Sequence, residues 1–530
     1  MTKQERKWIW VTATIVMAIT TVPYILALSM EGDGWKFTGF LFGVEDGNSY
    51  IAKMLSGAYG RWLFKTPYTT FPQKGELAFL IYLLLGKLTS QSGQHAQLVA
   101  LFHLFRFISG CLAIVATYDF ISIFIKKIWV RRIGALFANV GGGFGFLYLL
   151  GLNNLWGSRL PLEFYSPETF GFLNLYGLPH LALGRACLLW SLSAFFNGSH
   201  PIRKIKFSGI YLVILTLVQP ITAVLEFGLL FLAVAGNVFH YWLVNRKDNS
   251  LLLQIIKENA KRLIWIVGIA LPILVYIFVS YKLDPFMQRW EQQNIITSPP
   301  MSDYLLAWGW VIPFVIVAII KMKKQEMPFQ YFLLAWLLVI FLLVYFPINI
   351  QRRLAEGVWV VFIMFVLLVM ENQKNGNVIL AILLFVFSLP AISILAGGIN
   401  SALHPQSPIF RSSQEVDIFE RIAQEADAGD VVLASYSVSN ALPAWAPVRV
   451  LSGHGPESID AVSINHEVKN FFSNSYSQAE QIQFIQKYQI SYIILGPEER
   501  SLGNWEPATC HFLQLFYNSK DYEIYGVIKP

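Results

Sequence analysis

Charged residues are scarce in this sequence, and their scarcity argues against a water-soluble globular protein. Only 14% of the 530 residues are Asp, Glu, Lys or Arg, whereas 55% are hydrophobic. The mean hydropathy of +0.50 is high for a soluble chain, and the chain is too long for a single membrane-spanning helix. The composition therefore predicts a polytopic membrane protein that has membrane lipid as a partner.

Several familiar binding signatures are also missing. The three cysteines, Cys111, Cys187 and Cys510, lie too far apart to form a disulfide framework. The chain has no phosphate-binding loop, no dinucleotide-binding glycine pattern and no paired Cys or His spacing for zinc. The net charge of +7 is distributed in short clusters between apolar runs, as in cytoplasmic loops, so we expect no nucleic-acid partner.

The apolar runs predict a mainly α-helical bundle of about eleven membrane spans, within a range of about 10 to 13. The first span follows a basic N-terminus, which places that terminus in the cytoplasm. No small-residue cleavage site precedes Met30, so we interpret the segment as an uncleaved span rather than a signal peptide. Residues 77–88 are too few for an easy crossing and predict an interfacial or re-entrant helix. The predicted spans are residues 8–28, 98–125, 133–150, 178–196, 207–218, 221–242, 263–281, 304–320, 329–346, 354–370 and 378–395.

This arrangement places almost every basic cluster on the cytoplasmic side. Examples are Lys126 to Arg132, Arg246 with Lys247, and Lys321 to Lys324. The last span then exits, so we expect a membrane domain over residues 1–402 and an extracytoplasmic domain over residues 403–530.

Two adjacent carboxylates, Glu45 and Asp46, follow the first span within an outer loop over residues 29–76. Glycines on both sides disfavour a helix, so we expect the pair to be presented from a loop. The functional interpretation is a catalytic base or a metal ligand. The alternative is a solvated acidic turn.

Two adjacent arginines, Arg352 and Arg353, form the exception to the charge pattern because they lie at the outer end of a late span. One interpretation is a pair of interfacial anchors. The other is an anion site, since the planar guanidinium can donate two parallel hydrogen bonds to the oxygens of a phosphate.

The C-terminal residues are polar enough for a small α/β domain. The pattern predicts helices over Glu415–Ala426 and Gln478–Tyr488, and strands over Asp430–Ser435, Ser491–Leu495 and Tyr522–Ile528. His454 lies in a glycine turn, Gly453 to Pro456, where it could be structural or could contact a substrate.

The layout of these features resembles the GT-C superfamily of membrane glycosyltransferases, which includes protein mannosyltransferases, aminoarabinose transferases and oligosaccharyltransferases. The resemblance rests on the stretch from Gly43 to Met54, on Leu178-Pro179-His180 at the start of a span, and on the stretch from Gln351 to Gly357. It implies that the first outer loop is catalytic, that its acidic residues act as base or metal ligand, and that a polyprenyl phosphate carries the sugar donor.

The chemistry agrees with this implication, since glycosyl transfer needs a base at the acceptor hydroxyl and positive charge at the departing phosphate. Asp46 or Glu45 would be the base, and Arg352 and Arg353 would hold the phosphate. The sequence shows no dedicated nucleophile, so we expect inversion at the anomeric carbon. The acceptor would belong to the cell envelope.

Further residues are candidates for supporting roles. The candidate substrate contacts are Tyr50, Lys53, His180, Gln351 and His454. Asp46 together with Glu163 and Glu168 could bind Mg²⁺ or Mn²⁺, which prefer oxygen ligands, although the two glutamates could equally be solvated loop residues. The mechanism also requires that the acidic pair and the arginine pair border one outward-facing cavity.

Two other functions remain open. A transporter or flippase for a lipid-linked or anionic substrate would use ionisable residues inside the bundle, for which the candidates are Arg106, Asp119, Arg185 and Glu226. An inactive scaffold that binds partners through its C-terminal domain is the third interpretation.

Overall fold

The computed structural model describes residues 2–32, 34–90, 93–196, 201–244, 249–322 and 330–528. The basic residues Arg246, Lys247, Lys323 and Lys324, which the topology prediction used, lie outside the described residues. The protein is 69% helical and carries a small C-terminal sheet. The predicted fold class, a helical membrane protein with a small α/β region at the C-terminal end, is therefore confirmed.

The chain forms two compact units. The first unit comprises Met1–Val22, Leu104–Phe278 and Ile295–Gly397, and the second comprises Pro23–His103, Val279–Asn294 and Gly398–Pro530. The chain enters the second unit for the last time close to the predicted domain boundary at residues 402 and 403. That unit also contains residues 29–76, which the prediction had assigned to the membrane domain.

The α-helices are numbered α1 to α23 in chain order. They are Lys3–Ser29, Val44–Ala58, Leu80–Gly86, Gln94–Phe124, Ile128–Val140, Phe146–Leu149, Phe172–Gly177, Pro179–Phe196, Pro201–Val218, Pro220–Val244, Asn249–Leu283, Pro285–Gln293, Met301–Trp308, Ile312–Met322, Gln330–Leu343, Val358–Met370, Gly376–Phe387, Leu389–Leu403, Ser413–Glu425, Tyr436–Ala441, Ala461–Phe472, Gln478–Tyr488 and Pro497–Leu502.

Seven helical segments among the described residues are long and apolar enough to cross a membrane. Two further apolar helices, Lys206–Val218 and Tyr331–Leu343, are shorter. These nine coincide with nine of the eleven predicted spans, and the total number of spans stays a prediction. The seven segments are Lys3–Ser29, Gln94–Phe124, Pro220–Trp242, Leu252–Leu283, Met301–Lys321, Gln351–Met370 and Gly376–Leu403.

A predicted continuous span over residues 133–150 is interrupted. Helix α5 ends at Val140, and Gly141 to Gly143 follow in a non-helical conformation. A Cβ on Gly143 would lie 2.2 Å from the carbonyl oxygen of Ala307. The glycine run therefore allows a backbone approach that no larger residue would permit, which the apolar pattern alone does not reveal.

The core of the first unit is built around α16. This helix is buried on nearly every side, from Val358 to Met370. An apolar helix without a polar face is typical of the centre of a membrane bundle. The 3-10 helix Gln351–Ala355 directly precedes it and carries the two predicted arginines.

The second unit contains two sheets. Strand β1, Trp35–Phe37, pairs antiparallel with β2, Phe410–Ser412. The other sheet has the order β4-β3-β5-β7-β6, in which β3 runs parallel to β4 and β5 while β7 is antiparallel to β5 and β6. Its strands are Val431–Leu433 (β3), Arg449–Val450 (β4), Ile490–Leu495 (β5), Leu513–Asn518 (β6) and Glu523–Val527 (β7).

Helix α2 belongs to the core of this second unit. Ala52 of α2 and Tyr68, which follows it, share one apolar cluster with Ile418, Val432 and other C-terminal residues. On its other side α2 meets α3, where a Cβ on Gly86 would lie 1.7 Å from the carbonyl oxygen of Met54. Helix α3 has only seven residues, which is too short to cross a bilayer core of about 30 Å. This length agrees with the interfacial or re-entrant prediction.

Candidate active site

The acidic pair lies in the first turn of α2 and not in a loop. Gly43 precedes the helix with a φ of 58°, which glycine adopts without steric cost. Glu45 and Asp46 therefore lie at the positively polarised end of the helix, where carboxylates are stabilised. The loop prediction was wrong because Gly47 is not a helix breaker here. A Cβ at that position would lie 2.3 Å from the ring of Phe40, so the glycine makes room for the aromatic side chain.

Glu45 is held by C-terminal residues of the same unit. Its Oε1 accepts hydrogen bonds from the Tyr436 hydroxyl at 2.6 Å and from the Gly455 backbone N–H at 2.8 Å. Burial raises the pKa of Tyr436, and the neighbouring Glu45 carboxylate raises it further. The Tyr436 phenol therefore stays protonated and donates to Glu45. The bond from the Gly455 N–H connects Glu45, and with it α2, to the turn that contains His454.

Asp46 points differently from its neighbour. Its side chain is 57% exposed, and its Oδ1 lies 3.0 Å from Nε2 of His454, whose own side chain is 8% exposed. The Tyr68 ring packs 5.6 Å from the imidazole, measured between centroids. An accessible carboxylate is thus fixed at one oxygen by a buried histidine.

A buried ion pair lies behind His454. The Nδ1 atom of His454 is 3.5 Å from Oε1 of Glu457, and Nζ of Lys53 is 2.5 Å from the same oxygen. Ser49 donates to this oxygen at 2.7 Å, and Thr66 donates to Oε2 of Glu457 at 2.6 Å. We call the four side chains Asp46, His454, Glu457 and Lys53 the charge chain.

The charges along the charge chain alternate in sign, and each neighbour favours the ionised form of the next. Burial lowers the pKa of His454, but Glu457 and Asp46 outweigh burial and leave that pKa raised. Burial raises the pKa of Glu457, but Lys53 and His454 outweigh burial and leave that pKa lowered. A protonated His454 carries an N–H on the side of each carboxylate. The Nε2 contact with Asp46 at 3.0 Å is a hydrogen bond, and the Nδ1 contact with Glu457 at 3.5 Å is a charge contact.

Two predicted substrate contacts, Tyr50 and Lys53, have partners within the second unit. Tyr50 stacks on Tyr82 with ring centroids 4.8 Å apart. Lys53 is 1% exposed, and its ammonium group lies 4.4 Å from the centroid of the Phe79 ring in addition to its bond with Glu457. Lys53 therefore lies in the interior of the unit. Its burial does not support a direct contact with substrate.

The arginine pair lies in the 3-10 helix of the first unit. The guanidinium of Arg352 is 5.0 Å from the centre of the Tyr165 ring, a cation–π distance. The Nε of Arg353 is 3.8 Å from Oε1 of Glu168. Successive residues of a 3-10 helix point about 120° apart, which explains why the two side chains contact different partners. The Gln351 side chain lies between the Phe346 carbonyl and the Ser298 N–H. With its amide nitrogen towards Phe346, it donates to that carbonyl at 2.9 Å and accepts from Ser298 at 3.1 Å.

The two glutamates of the predicted metal site are buried, and Glu163 is hydrogen-bonded to backbone groups. Oε1 of Glu163 accepts from the backbone N–H groups of Gly143 at 2.9 Å and Gly145 at 2.8 Å, and burial raises the pKa of Glu163. Glu168 faces Arg353. Within the described part of the chain, no three His, Cys, Asp or Glu side chains form a group that could hold a metal ion. The Mg²⁺ or Mn²⁺ site therefore stays a prediction.

Other predicted residues lie elsewhere in the first unit. His180 is the second residue of α8 and is half-buried. Among the residues proposed for transport, Arg185 pairs with Glu356 at 2.5 Å, and Arg106 donates to Thr20 at 3.0 Å and to the Leu175 carbonyl at 3.1 Å. Protein groups thus bind both arginines, although Nη1 of Arg185 has no hydrogen-bond partner among the described residues. Asp119 accepts from the Trp190 indole at 2.9 Å, and Glu226 is fully buried on α10.

Sequence reasoning missed Glu457, Thr66, Ser49 and Tyr436. A signal for Glu457 was present, since it follows His454 by three residues in a turn after a strand, a spacing that brings both side chains to one side. Tyr436, Ser49 and Thr66 carried no comparable signal because their partners are distant in sequence or belong to a buried network.

The protein shares its fold with membrane glycosyltransferases of known structure. The arabinofuranosyltransferase AftD from Mycobacteria matches with a TM-score of 0.57 and 13% identity, over 99% of this chain and 40% of the AftD chain. The oligosaccharyltransferase AglB from Archaeoglobus fulgidus, solved with an inhibitory peptide and a dolichol-phosphate, matches with a TM-score of 0.52 and 12% identity, over 92% of this chain and 69% of its own.

This similarity confirms the fold that the resemblance implied. The chain has the fold of the GT-C membrane glycosyltransferases. It spans about two fifths of the AftD chain and about two thirds of the AglB chain. No protein-family model matches the sequence, and no curated protein matches it.

Proposed function

We propose that this protein is a membrane glycosyltransferase that moves a sugar from a polyprenyl-phosphate donor to an extracytoplasmic acceptor of the cell envelope. The observation that carries the proposal is the accessible carboxylate of Asp46 at the N-terminal end of α2, in a chain with the GT-C fold. The dolichol-phosphate bound to AglB supports a lipid phosphate as donor. The orientation follows the basic clusters, with a cytoplasmic N-terminus and residues 403–530 outside.

Asp46 is the base in this proposal. The acceptor hydroxyl oxygen attacks the anomeric carbon, the bond from that carbon to the phosphate oxygen breaks, and the hydroxyl proton passes to Asp46. The lipid phosphate leaves with the electron pair, so the products are the glycosylated acceptor and the free polyprenyl phosphate. A single displacement of this kind inverts the anomeric centre.

Arg352 and Arg353 hold the departing phosphate in the same proposal. Arg352 supports this role because it rests on an aromatic face, which leaves the edge of its guanidinium able to donate to phosphate oxygens. Positive charge at that position stabilises the negative charge that develops as the bond to phosphate breaks. That the acidic pair and the arginine pair border one cavity remains a prediction.

The test is transfer of radiolabelled sugar from a panel of polyprenyl-phosphate sugars to extracted cell-envelope acceptors by purified, folded protein. We expect transfer by the wild type, its collapse in Asp46→Asn, and a clear reduction in Arg352→Gln when the donor is not saturating.

Matched controls come from the same chain. Asp460→Asn changes an aspartate that is 58% exposed, against 57% for Asp46, and whose positive φ suits asparagine. Arg132→Gln changes an arginine 4.8 Å from the Trp8 ring, which resembles the setting of Arg352. If all four variants keep wild-type transfer, the catalytic assignment fails. If donors bind and are never consumed, the transporter or flippase becomes the leading function, with Glu226 as its first residue to test.

A further inference from the structure

The C-terminal turn that contains His454 completes the candidate active site, and this inference rests on the proposed function. His454 and Glu457 lie 408 and 411 positions after Asp46 in the chain, yet the first is hydrogen-bonded to Asp46 and the second lies 3.5 Å from His454. Both are buried, whereas Asp46 is exposed. An exposed carboxylate held by a buried donor is the arrangement expected for a base whose direction matters.

We infer that His454 is a positioning residue, which fixes the direction of the exposed Asp46 carboxylate through the Nε2 to Oδ1 hydrogen bond, so that this carboxylate accepts the proton from the acceptor hydroxyl. The bond is 3.0 Å long, which is normal for an N–H···O contact. An isolated aspartate at a helix end can rotate about two side-chain bonds, and the histidine removes that freedom. Because catalysis depends on near-attack geometry, a small change in direction has a large effect on rate.

Glu457 supports His454 through its charge. Its Oε1 lies 3.5 Å from Nδ1 of His454, which is a charge contact and not a hydrogen bond, while its two oxygens accept hydrogen bonds from Lys53, Ser49 and Thr66. Lys53 lies on α2, about two helical turns after Asp46. The same helix therefore supplies both ends of the charge chain, while the C-terminal turn supplies its middle.

The turn itself is fixed by the backbone as well as by side chains. Ser458 accepts from the N–H groups of Gly453 and His454 at 3.0 Å each. Asn440 donates to the Gly453 carbonyl at 2.7 Å, and a Cβ on Gly453 would lie 2.6 Å from the Ser439 backbone. The turn is therefore rigid enough to hold the imidazole against Asp46.

The experiment compares His454→Ala with His454→Gln in the full-length protein, in the transfer assay. The Gln amide can place an N–H donor close to the position of Nε2, whereas Ala cannot. We expect His454→Ala to lower kcat about 100-fold with little change in the KM for the donor, and His454→Gln to recover at least a tenth of the wild-type kcat. His466→Ala is the control, because this histidine is exposed and lies on α21 of the same unit.

A purely structural role gives a different result. If His454 has only a structural role, both His454→Ala and His454→Gln lower the amount of folded protein, and kcat per folded molecule stays unchanged in both. The folded fraction is measured by size-exclusion chromatography and thermal unfolding. Wild-type kcat per folded molecule in His454→Ala overturns the inference, as does equal loss in the two variants.

A second measurement does not depend on glycosyl transfer. In protein labelled with ¹⁵N-histidine, the Nε2 signal of His454, assigned by its loss in His454→Gln, is recorded at one fixed pH in the wild type and in Asp46→Asn. We expect the signal to move in Asp46→Asn and to stay in place in Asp460→Asn. If the wild type transfers no sugar, the proposed function fails, and this signal alone decides whether His454 holds Asp46. An unmoved signal overturns the inference.

Discussion

The acidic pair of the second unit and the arginine pair of the first unit are organised in opposite ways. Glu45 is tied to Tyr436 and Gly455, while Asp46 stays accessible and is bonded to one buried histidine. Arg352 and Arg353 are both half-buried and rest on an aromatic ring and a carboxylate. Directional hydrogen bonds suit a proton acceptor, and looser cation contacts suit a phosphate, whose charge is spread over several oxygens.

Both pairs have a buried ion pair behind them. Lys53 and Glu457 approach to 2.5 Å in the second unit, as do Arg185 and Glu356 in the first. A buried ion pair contributes little net stability, but loss of one partner leaves a charge without compensation. The comparison therefore predicts that loss of one partner in either buried ion pair lowers stability. It also predicts that only Asp46 depends on the direction of its side chain for activity.

The largest effect separates the two members of the acidic pair. We expect Asp46→Asn to lower kcat by about 10²- to 10⁴-fold, the usual contribution of a general base, because asparagine cannot take the proton. Glu45→Gln keeps an oxygen that can accept from Tyr436, and we expect a loss below about 10-fold. Initial rates of sugar transfer measure both. Equal losses would mean that the two carboxylates share the role of base.

The next effect concerns the buried supports. Lys53→Met removes the partner of Glu457, so we expect the free energy of unfolding to fall by about 3 kcal/mol or more. Arg185→Met should cost a similar amount in the first unit, because Glu356 is left buried.

The control for this prediction is the double variant Lys53→Met/Glu457→Gln, which removes both charges and should recover part of the loss. Denaturant-induced unfolding in detergent provides the free energies. A double variant less stable than the sum of the single variants would contradict the explanation.

A smaller effect divides the arginine pair. Arg352→Gln should raise the KM for the donor by about 10-fold, the value of one charge-assisted hydrogen bond. Arg353→Gln should have a smaller effect, because Arg353 already faces Glu168 at 3.8 Å. Donor titrations at saturating acceptor measure KM, and Arg132→Gln serves as the control. A larger effect at Arg353 would reverse the assignment within the pair.

The smallest effect is a pH dependence of stability that comes from His454 and Glu457, next to the acidic pair. The folded-state pKa of His454 is raised above 6.5, so its stabilisation is fully present below pH 6.5 and is lost as pH rises through the raised value. The folded-state pKa of Glu457 is lowered below 4.5, so its stabilisation is present above pH 4.5 and is lost as pH falls through the lowered value.

Thermal unfolding between pH 4 and pH 9 tests both limits. We expect the melting temperature of the wild type to fall by a few degrees on the alkaline side, since a difference of about 1 kcal/mol corresponds to a few degrees. His454→Gln should lose this alkaline decline and keep the acid one. An unchanged alkaline decline in that variant would assign the titration to another group.

Local patterns predicted local structure well. Helix α22 spans Gln478–Tyr488 as predicted, and a capping box between Ser477 and Glu480 marks its start. Strands β3, β5 and β7 were also predicted, because each is a short apolar run bounded by polar residues. Strand β6 was missed because its residues are mostly half-buried or exposed, so it lacks an apolar pattern.

Tertiary contacts explain what the sequence could not predict. In the sequence, Gly47 indicates a helix breaker. In the structure it lies within a helix, where the ring of Phe40 packs against it and leaves no room for a side chain. The bond from His454 to Asp46 joins residues 408 positions apart, and no local pattern specifies such a pair. The candidate base was identified from its neighbours in sequence, whereas the group that orients it depends on the fold.

The separation between Asp46 and His454 also has a consequence for the order of synthesis. A ribosome that adds about 5–20 residues per second needs roughly 20–80 s to reach His454 after it has made Asp46. Throughout that interval α2 exists without the turn that directs its carboxylate, and β1 exists without β2. The first membrane helices are therefore made before the contacts of the acidic pair can form, and the proposed site is complete only when the last quarter of the chain has been synthesised.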